Sequence, residues 1–191
     1  MGRQGSSLKR FTDIVISLIT IIITSPILLI SALAIKLDSK GPVFFMHERT
    51  GLNGKPFKMI KFRGMIDNAL LHGPGITQLN DPRITRIGRF LRRTSIDELP
   101  QLFNVLKGEM SIIGPRPEII SITSTYSKEH QKVFNYLPGI TGISQINGRQ
   151  TLTPQQRNEM EIEYYSNETF LKDVKIFFIT FWVIVTNKGN I

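Results

Sequence analysis

The chain has 191 residues, a length that fits one domain with at most a small appendage. It contains no cysteine, which excludes a disulfide framework and a thiolate metal site, and its three histidines do not stand at zinc-motif spacing. Lys and Arg outnumber Asp and Glu by 24 to 15, and the formal charge of +9 favours an anionic partner. Charge alone leaves nucleic acid, lipid headgroups and a phosphorylated substrate open.

The first predicted element is a long apolar helix. The run from Ile14 to Ile35 carries no charge, and at helical rise it reaches roughly 33 Å, enough for the hydrocarbon core of a bilayer. Pro26 cannot bond to the carbonyl of Ile22, and Ser25 is placed to bond to a freed backbone group. Three interpretations fit this run: a kinked spanning helix, a broken helix that enters and leaves by one face, and a cleaved signal peptide. The residues alone favour spanning, although basic residues flank both ends.

Two apolar runs on either side of a Gly/Asn turn predict a β-hairpin with a longer loop. The first run is Val43–Met46, the turn is Gly51–Gly54, and the second run is Phe57–Phe62. Apolar and basic side chains alternate only imperfectly along the second run, so each face of the predicted strand carries both kinds.

A basic helix is predicted next, because four arginines recur at every third residue: Arg83, Arg86, Arg89 and Arg92. The complementary apolar stripe consists of Ile84, Ile87 and Leu91. Such a pattern is typical of an exposed helix face, and equally of a helix that contacts anionic headgroups or phosphates.

The remaining pattern predicts helices separated by stiff turns. One helix is expected from Ser95 to Lys107, ending at Gly108, and another from Pro154 through Tyr164. The segment Gly114–Pro117 cannot continue a helix and is expected to form a rigid turn. The apolar run Ile176–Val185 is too short to span a bilayer, and it fits a buried core helix or an interfacial helix equally well.

The sequence Ser95-Ile96-Asp97-Glu98 has two interpretations. In the structural one, Ser95 caps a helix and Glu98 reaches back to its backbone N–H; the residues alone favour this capping box. In the functional one, nearby arginines keep Asp97 ionised, and an ionised carboxylate is able to ligate magnesium or attack an electrophile. Arg116, held between two prolines, fits either an arginine preorganised for an anion or a solvated arginine on a rigid turn. Neither a Walker A loop nor GxGxxG is present.

These residues resemble the bacterial sugar transferase family, the small monotopic phosphoglycosyl transferases. The resemblance runs from about Lys9 to Lys175 and is strongest over Leu91–Gln101. Its other motifs are Lys9-Arg10-Phe11, Ser25-Pro26, Gly41-Pro42-Val43, Arg49-Thr50-Gly51, Lys61-Phe62-Arg63, Asp81-Pro82-Arg83, Asn104–Gly108, Met110–Pro117, Pro138–Gly142 and Asn147-Gly148-Arg149.

The resemblance implies an α+β, mostly helical fold. Residues 1–40 are expected to form a re-entrant membrane helix broken at Ser25 and Pro26, and residues 41–191 a catalytic domain with a small β-hairpin and interfacial amphipathic helices. That domain is expected on the cytoplasmic face of the bacterial inner membrane. The expected form is the minimal one, without the multi-helix membrane domain of larger relatives.

The resemblance also implies a reaction. Asp97 is expected to attack the sugar-proximal phosphate of a UDP-sugar, so that UMP leaves and a sugar-phosphoryl aspartate forms. Polyprenol (undecaprenyl) phosphate then takes the sugar phosphate. Mg²⁺, with Asp97 as its expected protein ligand, neutralises diphosphate charge. Glu98 is expected to position or deprotonate the acceptor. Substrate-binding residues are expected to be Arg63, Arg92, Arg93, Arg116, Arg149 and Glu161.

Two positions depart from the family pattern. Gly64 stands where relatives often carry Ser or Thr, and Glu161 stands in place of an aspartate near Tyr164 and Tyr165. Two other classes of function compete with the transferase. A non-catalytic basic adaptor at the membrane surface is one; a nucleic-acid-binding protein is the other, but such a protein has no need of the long apolar segment.

Overall fold

The computed structural model describes residues 6–73, 78, 81–148 and 152–186. The fold is α+β and mostly helical, as predicted. Its α-helices are α1 Ser7–Asp38, α2 Arg86–Arg93, α3 Gln101–Lys107, α4 Ile120–Thr123, α5 Ile143–Ile146, α6 Pro154–Ser166 and α7 Phe170–Thr186. Its strands are β1 Phe44–Thr50, β2 Pro56–Phe62, β3 Ser111–Ile113 and β4 Gly139–Thr141. Short 3₁₀ turns occupy Leu52–Gly54, Ala69–Leu71, Ile96–Glu98 and His130–Asn135.

Helix α1 is one continuous helix of 32 residues. The expected break into two helices at Ser25 and Pro26 is not seen, because the helix runs through both residues. The proline leaves the carbonyl of Ile22 without its usual N–H donor, and the Ser25 hydroxyl donates to that carbonyl instead, over 2.8 Å. This compensation, which the sequence predicted, helps the helix to tolerate the proline. The re-entrant path itself stays a prediction.

Both ends of α1 are fastened to the same globular unit. Near its start, the buried carboxylate of Asp13 accepts hydrogen bonds from the Ser111 hydroxyl and the Ile112 N–H, over 2.7 and 3.0 Å. Near its end, Asp38 accepts from the Ile87 N–H over 3.1 Å. The helix is therefore part of the folded unit along its length.

The outer face of α1 is apolar and exposed. Isoleucines and leucines on this face are at least 45% exposed, among them Ile22, Ile23, Leu29 and Ile30. By length and composition α1 is able to cross a membrane, and it is the one such helix among the described residues. An apolar helix face of this size that points away from the protein indicates contact with another apolar surface, either a membrane or a second protein.

The predicted β-hairpin is confirmed. Strands β1 and β2 pair antiparallel, from Phe44 opposite Phe62 to Thr50 opposite Pro56. Both faces of β2 contribute to the interior, since Met59 and Phe62, an odd number of residues apart, are 5% and 3% exposed. This burial on two faces explains why the sequence of β2 shows no clean alternation.

Two hydrophobic clusters hold the globular unit together. The larger one joins β2, α3, β3 and α7 through Met59, Leu102, Val105, Met110, Ile112, Ile113 and Ile176. The smaller one joins α1, β2 and α2 through Ile35, Phe62 and Leu91. Since β2 belongs to both clusters, the hairpin links α1 to the body of the protein.

Helices α6 and α7 agree with the sequence patterns. Thr153 and Gln156 form a capping box at the start of α6, with Pro154 in its first turn. In α7, Ile176 is buried, whereas Phe178, Phe181 and Trp182 are about two-thirds exposed. The buried side agrees with the core interpretation, and the interfacial interpretation of the exposed side stays a prediction.

Candidate active site

The Asp97–Glu98 pair lies on a short 3₁₀ turn between α2 and α3. The single helix predicted from Ser95 to Lys107 is wrong, because the chain forms this turn first and α3 begins only after Pro100. The predicted capping box is also wrong: Ser95 adopts a left-handed conformation with φ 56°, and its side chain accepts no capping hydrogen bond within the described part of the chain. For a residue other than glycine this conformation costs about 1–2 kcal/mol. Such local strain is often found at functional sites.

Glu98 is held by a lysine from the hairpin. The Lys61 ammonium donates to the Glu98 carboxylate over 2.9 Å, and both side chains are more than four-fifths buried. This pair fixes the 3₁₀ turn to β2. It also keeps a negative and a positive charge next to Asp97.

Two glycines bring α2 against the end of the hairpin. Thr85 caps the helix by accepting from the Gly88 N–H, and a Cβ on Gly88 would overlap the carbonyl oxygen of Gly64. A Cβ on Gly64 would in turn lie 3.1 Å from Nε of Arg92. The close approach leads the last turn of α2, with Arg92 and Arg93, directly into the Asp97 turn. It also gives a reason for glycine at position 64.

Helix α2 begins at Arg86, so Arg83 does not belong to the predicted helical stripe of arginines. Arg83 precedes α2 and is buried, where it forms a two-fold ion pair with Asp81, with contacts of 2.8 and 2.6 Å. It therefore stabilises the loop before the helix. The exposed cations of α2 are Arg86, Arg89 and Arg93, and its inward face carries Ile87 and Leu91.

Arg116 has a second arginine beside it that the sequence analysis missed. Arg49, at the end of β1, has its pKa lowered to about 10, first by burial and then by the charge of Arg116, with Glu118 and Glu98 opposing. The Arg49 Nη1 lies 3.5 Å from the carbonyl of Pro117. The motif Arg49-Thr50-Gly51 marks this residue, but spacing does not reveal that it meets the 114–117 turn.

Glu161 is buried beneath the Arg116 turn, and the substrate role expected of it stays a prediction. It is 4% exposed and accepts hydrogen bonds from the Arg116 N–H over 2.8 Å and from the Ser144 hydroxyl over 2.5 Å. Burial raises its pKa to about 7. Glu161 therefore joins α5, α6 and the Arg116 turn, and it positions Arg116 through the backbone.

Arg63, another arginine of the expected set, is tied to the chain after α1. Arg63 is 5% exposed, and its guanidinium donates to the carbonyls of Ser39 and Lys40, both over 2.7 Å. These contacts fix the chain after α1, so the structure does not support a substrate role for Arg63. Arg149 lies outside the described residues.

The site is thus built from three segments: the 3₁₀ turn with Asp97 and Glu98, the hairpin with Lys61 and Arg49, and the turn with Arg116. Charges of both signs alternate over a short distance. Such an arrangement is able to hold an anionic, phosphorylated ligand while presenting a carboxylate to it.

Comparison with known proteins defines the class. The family model described as bacterial sugar transferase matches residues 4–187. The chain is 38% identical to an uncharacterized sugar transferase, EpsL, of Bacillus subtilis (strain 168), over 95% of this chain and 89% of that protein. The chain therefore belongs to the bacterial sugar transferase family.

Other relatives carry more specific names. The chain is 43% identical to the UDP-glucose:undecaprenyl-phosphate glucose-1-phosphate transferase of Escherichia coli (strain K12), over 95% of this chain and 41% of that protein. It is 38% identical to the undecaprenyl-phosphate galactose phosphotransferase of Salmonella typhimurium, over 98% of this chain and 42% of that protein. The chain spans about two-fifths of the length of these two relatives.

Proposed function

We propose that this chain is a phosphoglycosyl transferase that moves a sugar phosphate from a UDP-sugar to undecaprenyl phosphate. Membership of the bacterial sugar transferase family supports this, as do relatives named for the same transfer. The observation that carries the proposal is the Asp97–Glu98 turn, held by Lys61 and bordered by the end of α2. It offers a nucleophile and cations in one place.

In the proposed reaction, a carboxylate oxygen of Asp97 attacks the sugar-proximal phosphorus of the donor. The bond from that phosphorus to the bridging oxygen breaks, UMP leaves with the electron pair, and Asp97 carries the sugar phosphate as an acyl phosphate. A phosphate oxygen of the polyprenol phosphate then attacks the same phosphorus. The Asp97–phosphorus bond breaks, and the polyprenyl diphosphate sugar forms as the carboxylate is restored.

Neighbouring residues would assist each half of this reaction. Arg92, Arg93 and Arg116 would bind the transferring phosphates, and we extend the same role to Arg49 because it lies beside Arg116. Glu98, held by Lys61, would position the acceptor phosphate or take its proton. Arg149 keeps its proposed role in substrate binding.

Mg²⁺ is the cofactor that we propose for this site. Within the described part of the chain, no group of three or more Asp, Glu or His residues is close enough to form a complete metal cage. Mg²⁺ commonly uses one or two carboxylates together with substrate phosphates, and the Asp97–Glu98 pair fits that smaller requirement. Because Glu98 is committed to Lys61, Asp97 would hold the ion, which would neutralise diphosphate charge.

We propose that α1 bends at Pro26 without breaking, and so enters and leaves the membrane by the cytoplasmic face, with residues 1–40 embedded and 41–191 at the surface. Contacts at both ends of α1, through Asp13 and Asp38, support this path. A helix that crossed the bilayer would carry one end away from the unit that both ends contact. Exposed α2 arginines and the apolar face of α7 would lie near headgroups.

The topology is tested with small tags at Met1 and Ile191, probed by a reagent that does not cross the inner membrane. Both tags are expected to react only after the cells are opened. A tag at Met1 that reacts in intact spheroplasts would contradict the path proposed for α1.

The reaction is tested by measuring UMP release from a panel of UDP-sugars with undecaprenyl phosphate, with and without EDTA. Asp97→Asn is expected to lower turnover by about 10³-fold or more, because the nucleophile is lost, while membrane association is retained. The matched control is Asp67→Asn, at an exposed carboxylate that accepts from the Asn68 N–H. Undiminished turnover in Asp97→Asn would show that Asp97 is not the nucleophile. If the wild type released no UMP from any donor, the result would favour a non-catalytic adaptor.

A further inference from the structure

Asn104 is a polar residue that is fully buried in the centre of α3. It is 0% exposed and stands between the apolar core residues Leu102 and Val105. Burial of an amide is costly unless its donors and acceptor are hydrogen-bonded. The Asn104 side chain has no part in the reaction proposed above, so its role has to be inferred from the groups that it contacts.

The amide of Asn104 binds the edge of β2 that faces away from β1. Its Oδ1 accepts from the Ile60 N–H over 3.0 Å, and its Nδ2 donates to the carbonyl of Lys58 over 2.8 Å. These two backbone groups lie on either side of Met59, so the side-chain amide pairs with the strand much as a third strand would. Asn104 therefore joins α3 to β2 with two directed hydrogen bonds.

Glu109 fixes the orientation of this amide. Its Oε2 accepts from the Asn104 Nδ2 over 2.6 Å. A carboxylate and a carbonyl oxygen accept, whereas the Ile60 N–H donates, so all three hydrogen bonds form in only one of the two possible orientations of the amide. Three directed contacts therefore define where Asn104 lies on β2.

The 96–98 turn is hydrogen-bonded to the start of α3. The Leu99 N–H donates to the carbonyl of Ile96 over 3.2 Å, and the Leu102 N–H donates to the carbonyl of Leu99 over 3.1 Å. Because these backbone bonds run from the turn into the helix without a gap, a shift of α3 along β2 would move Asp97 with it.

Two kinds of contact hold α3 on β2. Met59 of β2 and Leu102 of α3 belong to one apolar cluster, and hydrophobic attraction has no preferred direction. The polar contacts are directed: the Lys61–Glu98 ion pair lies at the turn, and the Asn104 amide lies further along the helix. The directed contacts therefore decide the register of α3 on the strand.

We propose that Asn104 is a positioning residue for the transferase. By holding α3 in register on β2, it brings Glu98 to Lys61 and so sets the place of Asp97 in the site. Glu109 orients the amide that does this. The inference rests on the function proposed above where it concerns turnover, whereas the effect on the Lys61–Glu98 pair is independent of any reaction.

A double-mutant cycle on stability tests the effect on the ion pair. Lys61→Met and Glu98→Gln are made singly and together, in the wild type and in Asn104→Leu, and each purified full chain is denatured chemically. The coupling between positions 61 and 98 is expected to fall by about half or more in Asn104→Leu. Thr180→Val, which removes a hydroxyl 2.8 Å from that of Thr141, is the control and is expected to leave the coupling unchanged. An unchanged coupling in Asn104→Leu would overturn the proposal.

The effect on turnover is measured as kcat and KM for UMP release from a UDP-sugar, per folded protein. Asn104→Leu is expected to lower kcat by roughly tenfold or more, because Asp97 is displaced. KM for the donor is expected to stay within about threefold, since the Arg116 turn is untouched. Thr180→Val is expected to keep kcat within about twofold. A kcat in Asn104→Leu equal to that of the wild type would show a purely structural role and overturn the proposal.

Hydrogen exchange of the wild-type chain needs no variant, so it decides the matter even if Asn104→Leu does not fold. The Ile60 amide is expected to exchange as slowly as that of Met59, which is paired with β1 opposite His47. Exchange of the Ile60 amide about a hundredfold faster would overturn the bond to Asn104.

The two proposals fail in different ways. Loss of the coupling in Asn104→Leu, without UMP release from any donor by the wild type, would reject the transferase and keep Asn104 as the residue that sets the register. UMP release that depends on Asp97, with the coupling unchanged in Asn104→Leu, would reject the role of Asn104 and keep the transferase.

Discussion

The turn at residues 96–98 and the turn at residues 114–117 both depend on a glutamate, and the two glutamates have opposite surroundings. Glu98 is paired with the ammonium of Lys61 at 2.9 Å. Glu161 accepts from a backbone N–H and a hydroxyl, both neutral donors, and burial raises its pKa to about 7. An adjacent lysine favours the charged form of a carboxylate, whereas burial with neutral donors favours its protonated form. The neighbours decide the role, and residue type alone does not.

Among the substitutions that separate the two turns, Gly88→Ala is expected to have the largest effect on stability and turnover. It disturbs the 96–98 turn and leaves the 114–117 turn unchanged. The new Cβ would overlap the carbonyl oxygen of Gly64, so α2 has to move away from the hairpin. We expect the free energy of unfolding to fall by about 2–4 kcal/mol, as in other overpacked interiors, and turnover to fall with it. Both are measured on the purified protein, by chemical denaturation and UMP release.

Gly64→Ala is the control for that substitution. Its Cβ would meet the flexible side chain of Arg92 at 3.1 Å rather than backbone, and the expected loss is below about 1 kcal/mol. Equal losses in the two variants would mean that the approach of α2 to the hairpin is not tight.

Lys61→Met removes the ion pair with Glu98 at the 96–98 turn, and its effect on stability is expected to be smaller than that of Gly88→Ala. Glu98 is then left largely buried without its counter-charge, so we expect a loss of about 2 kcal/mol in the free energy of unfolding and a fall in turnover of at least tenfold. Lys58→Met, on an exposed lysine of the same strand, is the control. Adding Glu98→Gln to Lys61→Met is expected to restore stability without activity, and failure to restore stability would count against a charge effect.

The effect of Glu161→Gln on stability is expected to depend on pH. The unfolded carboxyl has a pKa near 4.5 and the folded one near 7, so the folded state holds the proton more tightly between these values. The stabilisation is full below pH 4.5 and is lost as the pH rises toward 7. Glutamine does not titrate in this range, so we expect Glu161→Gln to remove this loss, which is about 2 kcal/mol between pH 5 and 8. Its amide oxygen is still able to accept both hydrogen bonds.

The measurement is chemical denaturation across that pH range, with Glu163→Gln, at an exposed position on the same helix, as the control. A variant that follows the wild-type pH dependence would show that Glu161 does not titrate in this window.

The elements that the sequence predicted correctly are those with strong local signals. The hairpin, α6 and the length of α1 follow from apolar runs, turn residues and a capping box. The helix from Ser95 was predicted wrongly because Ser-x-x-Glu is a good capping box in isolation. In the fold, Glu98 pairs with Lys61 instead of the Ser95 N–H, and Ser95 adopts a left-handed backbone conformation. The contact between Lys61 and Glu98 joins residues 37 positions apart, so no local sequence pattern predicts it.

The same limit applies to the arginines of the candidate site. Arg63, Arg83 and Arg116 look alike in sequence, as basic residues within matching motifs. The fold uses Arg63 to hold the end of α1 and Arg83 to hold Asp81, and it leaves Arg116 beside Arg49. The family pattern located the site, and only the fold separated the structural arginines from those that remain for a ligand.

The fastening of α1 has a consequence for synthesis on the ribosome. The partners of Asp13, Ser111 and Ile112, are synthesised long after it. The partner of Lys9 is Asp173, which is 164 residues further along the chain. At about 5–20 residues per second, the partners of Asp13 emerge roughly 5–20 s after it does. Throughout that interval α1, the longest helix among the described residues, lacks these contacts with the rest of the protein. A lipid surface or a chaperone must shield the nascent helix before the last part of the chain is made.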